Sequence, residues 1–221
     1  MVNIEKYIHQ LTDNLNKHFG SKLIYVGLQG SYLRGEATDS SDIDIMVVID
    51  KLALPDLDAY RTIISGMEHF DKSCGFICGR DELKHWNPLE MCHLLHTTKD
   101  YFGCLQDLIP AYTEQDILNF VKMSVNNLYH EICHRFIHAD EDTNLSLVSG
   151  SYRAVFFILQ NLYCLNHGKF IATKNDLLEK LVGIDRDVLE RAILVNKGMP
   201  FDFRECFELL FTWCRETIKL L

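Results

Sequence analysis

The sequence predicts an α+β chain in two parts: an N-terminal α/β domain with a small mixed sheet over residues 1–111, and an all-α helical bundle over 112–221. Three observations carry that reading. Before Pro110, helix-spaced apolar stripes alternate with short continuous apolar runs, the pattern of an α/β unit. After Pro110 the apolar residues recur at helical spacing, with no strand signal of comparable strength. The four prolines, at 55, 88, 110 and 200, all fall between expected elements, as chain breakers should.

Ile4, Tyr7, Ile8, Leu11 and Leu15 predict an amphipathic helix over 3–18. KLIYVGL (22–28) reads as a short strand running into Gly30-Ser31, and DIDIMVVI (42–49) as a second strand. Leu57, Tyr60, Ile63, Ile64, Met67 and Phe70 give the next helix. SCGFICG (73–79) and LEMCHLLH (89–96) are read as further strands. Residues 114–138, 148–167, 174–182, 186–195 and 202–220 are read as helices.

Composition narrows the function classes. At 221 residues and 48% hydrophobic the chain can bury one large core or two small ones. A formal charge of −9 and a pI near 5.5 argue against a general nucleic-acid binder, which needs a basic stripe. An acidic protein still binds a nucleotide where a cation and a few basic residues screen the phosphates. The eight cysteines include no CxxC pair, and MVNIEKYIHQ is not a basic-then-apolar leader. No apolar run approaches the roughly 18 residues that span a bilayer, so a reduced, cytoplasmic protein without a membrane segment is expected.

The second strand poses the functional question. Asp42 and Asp44 stand two apart in an otherwise apolar run, so they share a face with their Cα atoms about 6.5 Å apart. Facing carboxylates repel. Mg²⁺, a hard cation that takes one or two carboxylates plus substrate phosphates, turns that repulsion into shared coordination. Upstream, Gly30 lets a phosphate approach the backbone, and the Ser31 hydroxyl with the following N–H groups forms an anion site. Phosphates beside a carboxylate-held metal amount to a phosphoryl or nucleotidyl transfer site. The Ser41 hydroxyl is placed to orient the first aspartate or a phosphate, and Arg34 to pair with a phosphate; a plain surface arginine is the even alternative.

Gly30-Ser31, ten intervening residues, then Asp42-Ile43-Asp44 resembles the GS…DxD signature of the DNA polymerase β-like nucleotidyltransferase superfamily. The two-part layout is similar to the aminoglycoside nucleotidyltransferases, nearest the streptomycin adenylyltransferase type, where HGKFIATKNDLLEKL (167–181) is similar to a helical-domain segment. The resemblance implies transfer of NMP, from ATP above other nucleotides, to a hydroxyl of a small-molecule acceptor of aminoglycoside type. It also implies that Lys174 contacts the nucleotide phosphates, although an exposed first-turn lysine after a Thr173 cap reads equally well. Glu90 or Asp100 would attract an amino-sugar. Small members of the superfamily act as antitoxins that adenylylate a helical partner protein; here the helical part is covalently attached.

Active members carry a third carboxylate on a neighbouring strand. Here that position falls on or beside Cys74, and no Asp or Glu occurs between Lys72 and Arg80. Glu90 is the best substitute, ahead of Asp81, Asp71 and Glu68. Three readings follow: Glu90 reaches the site, or two aspartates act with a base from the substrate or helical domain, or catalysis is lost and a nucleotide-binding regulator remains. His130-Glu131-Ile132-Cys133-His134 also matches the zincin HExxH pattern, with His138 one turn further. It flanks an apolar helix stripe, so a solvated face is the better reading. The aromatic face of 202–220 suits core packing first and a homodimer second.

Overall fold

The computed structural model describes residues 2–139 and 141–221, with side chains outside 141–147. The chain folds as two compact units, residues 1–111 and 112–221. In the first, α1 (Ile4–Phe19) begins where the Asn3 side chain accepts the Lys6 N–H, and it buries Ile8, Leu11 and Leu15 completely. Each such aliphatic side chain contributes about 2 kcal/mol of transfer free energy. There follow β1 (Leu23–Leu28), the single turn α2 (Gly30–Leu33), β2 (Ile43–Ile49) and α3 (Leu54–Ser65). β3 (Ser73–Gly79), α4 (Arg80–Lys84), α5 (Met91–His96) and β4 (Lys99–Phe102) complete the unit.

The sheet is mixed, in the order β3-β2-β1-β4, with β1 antiparallel to β2 and β4, and β3 parallel to β2. Alternation along β2 organises both faces. Ile43, Ile45, Val47 and Ile49 join the core built with α1 and α3. Met46 and Val48 join a smaller core with Tyr25, Cys78, Leu83 and Leu105 on the opposite face. Asp44 follows the second set, so it stands at the open end of the smaller core rather than under α1.

One expected strand is replaced and one unexpected strand appears. Residues 89–96 form a 3-10 turn and α5 rather than a strand: Asn87 caps the turn through the Leu89 N–H, Pro88 opens it, and Met91 and Cys92 are buried along α5. The fourth strand is instead the polar KDYF of β4, paired only with β1 at the sheet edge.

The second unit comprises α6 (Glu114–His138), α7 (Glu141–His167), α8 (Lys174–Lys180), α9 (Gly183–Asn196) and α10 (Phe203–Leu220). A capping box between Thr113 and Asp116 starts α6. Val125 and Leu128 of α6, Tyr152 and Val155 of α7, Leu189 of α9, and Leu210 and Trp213 of α10 share one core. Two buried polar groups are satisfied inside it: Trp213 Nε1 donates to Asp185 at 2.7 Å, and the Tyr152 hydroxyl donates to the Cys206 carbonyl at 2.8 Å. Among the described residues no helix is long and apolar enough to cross a membrane.

Candidate functional site

The site begins where β1 ends. The Gln29 N–H donates to the Asp44 carbonyl at 2.9 Å, which holds the following turn against the start of β2. Gly30 has φ +68°, and a Cβ there would lie 1.9 Å from Asp44 Oδ2. The carboxylate of Asp44 therefore rests on a bare Cα, and both the backbone angle and the close approach require glycine. Ser31 is half-buried within α2.

Asp44 is half-buried and Asp42, two residues earlier, is exposed. Burial raises the Asp44 carboxyl above its ordinary value, and the charge of Asp42 pushes it further the same way. The Cys74 thiol, which hydrogen-bonds to Asp44, and the Arg34 guanidinium pull it back. The two carboxylates repel each other, and a divalent cation would relieve that repulsion.

Cys74 is the direct register partner of Asp44 across the parallel β2/β3 pairing, and it is exposed on an edge strand. Gly75 fixes that approach: its φ is +113°, and a Cβ there would lie 2.0 Å from the Ile45 carbonyl oxygen. Cys74, on or beside which the sequence reading sets the third carboxylate, thus stands next to Asp44 across the sheet.

Arg34 is held in an ion pair, its Nε donating to Glu36 Oε2 at 3.0 Å, with both side chains largely enclosed. Its charge reaches Asp44 and also His93 on α5. Burial, then Arg34, then His96 push the His93 imidazole down to about 4, so it is neutral at pH 7. Nothing in the sequence singled out His93; once 89–96 is read as a turn and helix, a histidine beside buried Met91 and Cys92 becomes the signal.

A second feature occupies the same sheet face. The fully buried Tyr25 passes its hydroxyl over Gly27, where a Cβ would meet it at 2.2 Å, and donates to Asp100 Oδ1 at 2.6 Å. Gly27 pairs with both Met46 and Asp100, so the exposed Asp100 stands on the Asp44 face, about 12 Å away, two strand spacings across and two residues along.

Three of the residues expected at the site have other local partners. The Ser41 hydroxyl accepts the Thr38 N–H at 2.8 Å and closes the 38–41 turn. Glu90 is not on a strand: it ends the 3-10 turn Pro88–Glu90 and accepts from Trp86 Nε1 at 3.0 Å. Lys174 opens α8 in the other unit, its Nζ 5.3 Å from the Phe156 ring centroid, and lines a cavity of about 210 Å³ with Arg153, Phe157 and Leu189.

The HExxH pattern is not assembled. His130, His134 and His138 are exposed along α6, with ring centroids 6.2 and 4.7 Å apart, while Glu131 pairs with Arg135 at 3.2 Å. Among the described residues no group of three or more His, Cys, Asp or Glu is gathered to hold a metal ion. The Asp42–Asp44 pair still fits a hard cation that completes its shell with phosphate and water, since that cation needs only one or two carboxylates.

A family model described as a nucleotidyltransferase domain matches residues 8–74. A Methanocaldococcus jannaschii protein named as a putative protein adenylyltransferase is 45% identical over 47 residues, which are 21% of this chain and 47% of that protein. The match therefore spans about half the length of that relative. Among solved structures, spectinomycin adenyltransferase AAD(9) from Enterococcus faecialis, with ATP and spectinomycin, superposes with a TM-score of 0.61 at 16% identity, covering 98% of this chain and 100% of that one. A toxin-antitoxin structure with AMP-PNP gives a TM-score of only 0.33 at 24% identity, covering 64% of this chain and 99% of that one. Residues 8–74 thus match the nucleotidyltransferase domain model, and they lie in an N-terminal unit that, with the helical unit after it, shares the fold of an adenyltransferase.

Proposed function

We propose that the protein is an adenylyltransferase, moving AMP from ATP to an acceptor hydroxyl with release of pyrophosphate. One observation carries this: a half-buried Asp44 seated on the Cα of Gly30, its carboxyl raised by burial and then by Asp42 on the same face. Such a pair is costly unless a cation and phosphates complete it.

Asp42 and Asp44 would hold Mg²⁺, whose charge offsets that of the triphosphate during transfer. Gly30 and Ser31 seat the β and γ phosphates, Gly30 by leaving the backbone bare and Ser31 through its hydroxyl and N–H. Arg34, oriented by Glu36, adds positive charge beside Asp44. No carboxylate stands at position 74, so the acceptor proton leaves to solvent, to the product phosphate or to a base carried by the acceptor.

Two acceptor classes are supported. The whole-chain fold likeness to a spectinomycin-binding enzyme favours a small-molecule hydroxyl, and Asp100, anchored by Tyr25 on the Asp44 face, offers a carboxylate to a cationic group on it. The local identity to a relative named for protein adenylylation favours a protein hydroxyl. The experiment is transfer of label from α-³²P-ATP, with Mg²⁺ present or chelated, to an aminoglycoside and aminocyclitol panel and to cell-extract protein. Mg²⁺-dependent label on either class is expected; none on either, with ATP binding retained, leaves a nucleotide-binding regulator in place of an enzyme.

A further inference from the structure

The cavity of about 210 Å³ in the helical unit is built by two helix faces and the first residue of α8. From α7 come Arg153, Phe156 and Phe157, and from α9 come Leu189, Ala192 and Asn196, each set at the spacing of one helix face. Its floor is apolar and closed, since Phe156, Leu189 and Ala192 are buried. Phe157 is 37% exposed, so part of its ring is apolar surface that the fold itself leaves uncovered. The charge of the cavity is of one sign. Lys174 holds its ammonium 5.3 Å from the Phe156 ring centroid, and the exposed Arg153 lines the same space. No lining residue is an aspartate or glutamate, although the chain carries 31 acidic residues against 22 basic ones.

We propose that this cavity is a binding site for a small aromatic carboxylate, one ring bearing one acid group. The ring packs on the floor of Phe156, Leu189 and Ala192 and covers Phe157. The carboxylate accepts from the Arg153 guanidinium, whose planar fork suits it, and faces the Lys174 ammonium. Volume sets the size of the ligand. An apolar cavity of about 150 Å³ takes up benzene, so the 210 Å³ here leaves room for a ring and its acid group. Drug-sized ligands occupy about 300 Å³ or more, and a nucleoside triphosphate is too large to be enclosed. Two like charges exclude a cationic amino-sugar. The inference stands on the helical unit alone and is independent of the transferase reading.

The test is calorimetric titration of the full chain with benzoate. One saturable, submillimolar equivalent is expected, and benzylamine, the same ring with the opposite charge, should bind at least tenfold more weakly. Arg153→Gln should weaken benzoate at least fivefold, and Asn196→Trp, which fills the cavity from its exposed rim, should abolish binding. Both positions are exposed, so the urea midpoints of the variants should match the wild type. The family resemblance assigns Lys174 to nucleotide phosphates, and competition separates that role from this one: saturating ATP should leave benzoate affinity within about twofold. No saturable benzoate binding, equal affinity for benzylamine, wild-type affinity in both variants, or displacement by ATP overturns the proposal.

Discussion

Two short polar motifs interrupt apolar runs in this chain, DID on β2 and HEICH on α6, and the fold treats them oppositely. Around Asp44 the backbone converges: Gly30 yields its Cβ position, Gln29 binds the Asp44 carbonyl, and Cys74 meets the side chain from the next strand. Around His130 and His134 nothing converges; the rings lie exposed along one helix, and Glu131 is occupied by Arg135. A motif becomes a site when neighbouring elements give up their own volume or hydrogen bonds to it. The departure of Asp44 from its ordinary protonation range follows from that convergence.

The largest expected effect separates the two motifs directly. Asp44→Ala should reduce Mg²⁺-dependent ATP binding or transfer at least 100-fold, and His134→Ala should leave both unchanged, measured by calorimetry and by label transfer. Equal losses in the two variants would erase the contrast. A smaller effect sharpens it through pH. His93 is neutral in the folded protein, with its imidazole lowered to about 4, and it takes up a proton on unfolding below about pH 6.5. The unfolded chain then binds more protons, so stability is fully present above pH 6.5 and is lost as pH falls towards 4. Between pH 7 and pH 5 the loss from this group is on the order of 2 kcal/mol. Asp44 works in the opposite sense at lower pH, since its raised carboxyl gives stability back as it protonates. Urea midpoints of the wild type and His93→Gln across this range check the slope, which should flatten in the variant. The smallest effect concerns Glu90→Gln: with Glu90 holding Trp86 in a surface turn, turnover should change less than twofold.

Much of this was legible in the sequence, for physical reasons that can be named. The β2 strand announced itself because Ile43, Ile45, Val47 and Ile49 face one core while Asp44, Met46 and Val48 face the other. The aspartate pair, Gly30 and Ser31 were visible through their spacing. What stayed hidden depended on partners distant in sequence. KDYF of β4 carries no apolar run because an edge strand leaves alternate residues in solvent, and only β1 reveals it as a strand. The run 89–96 is too short for its period to separate helix from strand, and Pro88 with the Asn87 cap decided for a turn and helix. Ser41 and Glu90 were chosen by residue type, and only the fold shows that their side chains also hydrogen-bond to Thr38 and Trp86. His93 and the Tyr25–Asp100 pair needed the fold itself to bring them onto one face.

Gly75 gives position 74 an unusual freedom. Because β3 is pinned to β2 through a backbone that admits no side chain at 75, the residue before it can be exchanged without disturbing how the strands meet. A lineage could therefore change the side chain beside Asp44 by altering one codon, while the codon next to it stays locked by geometry.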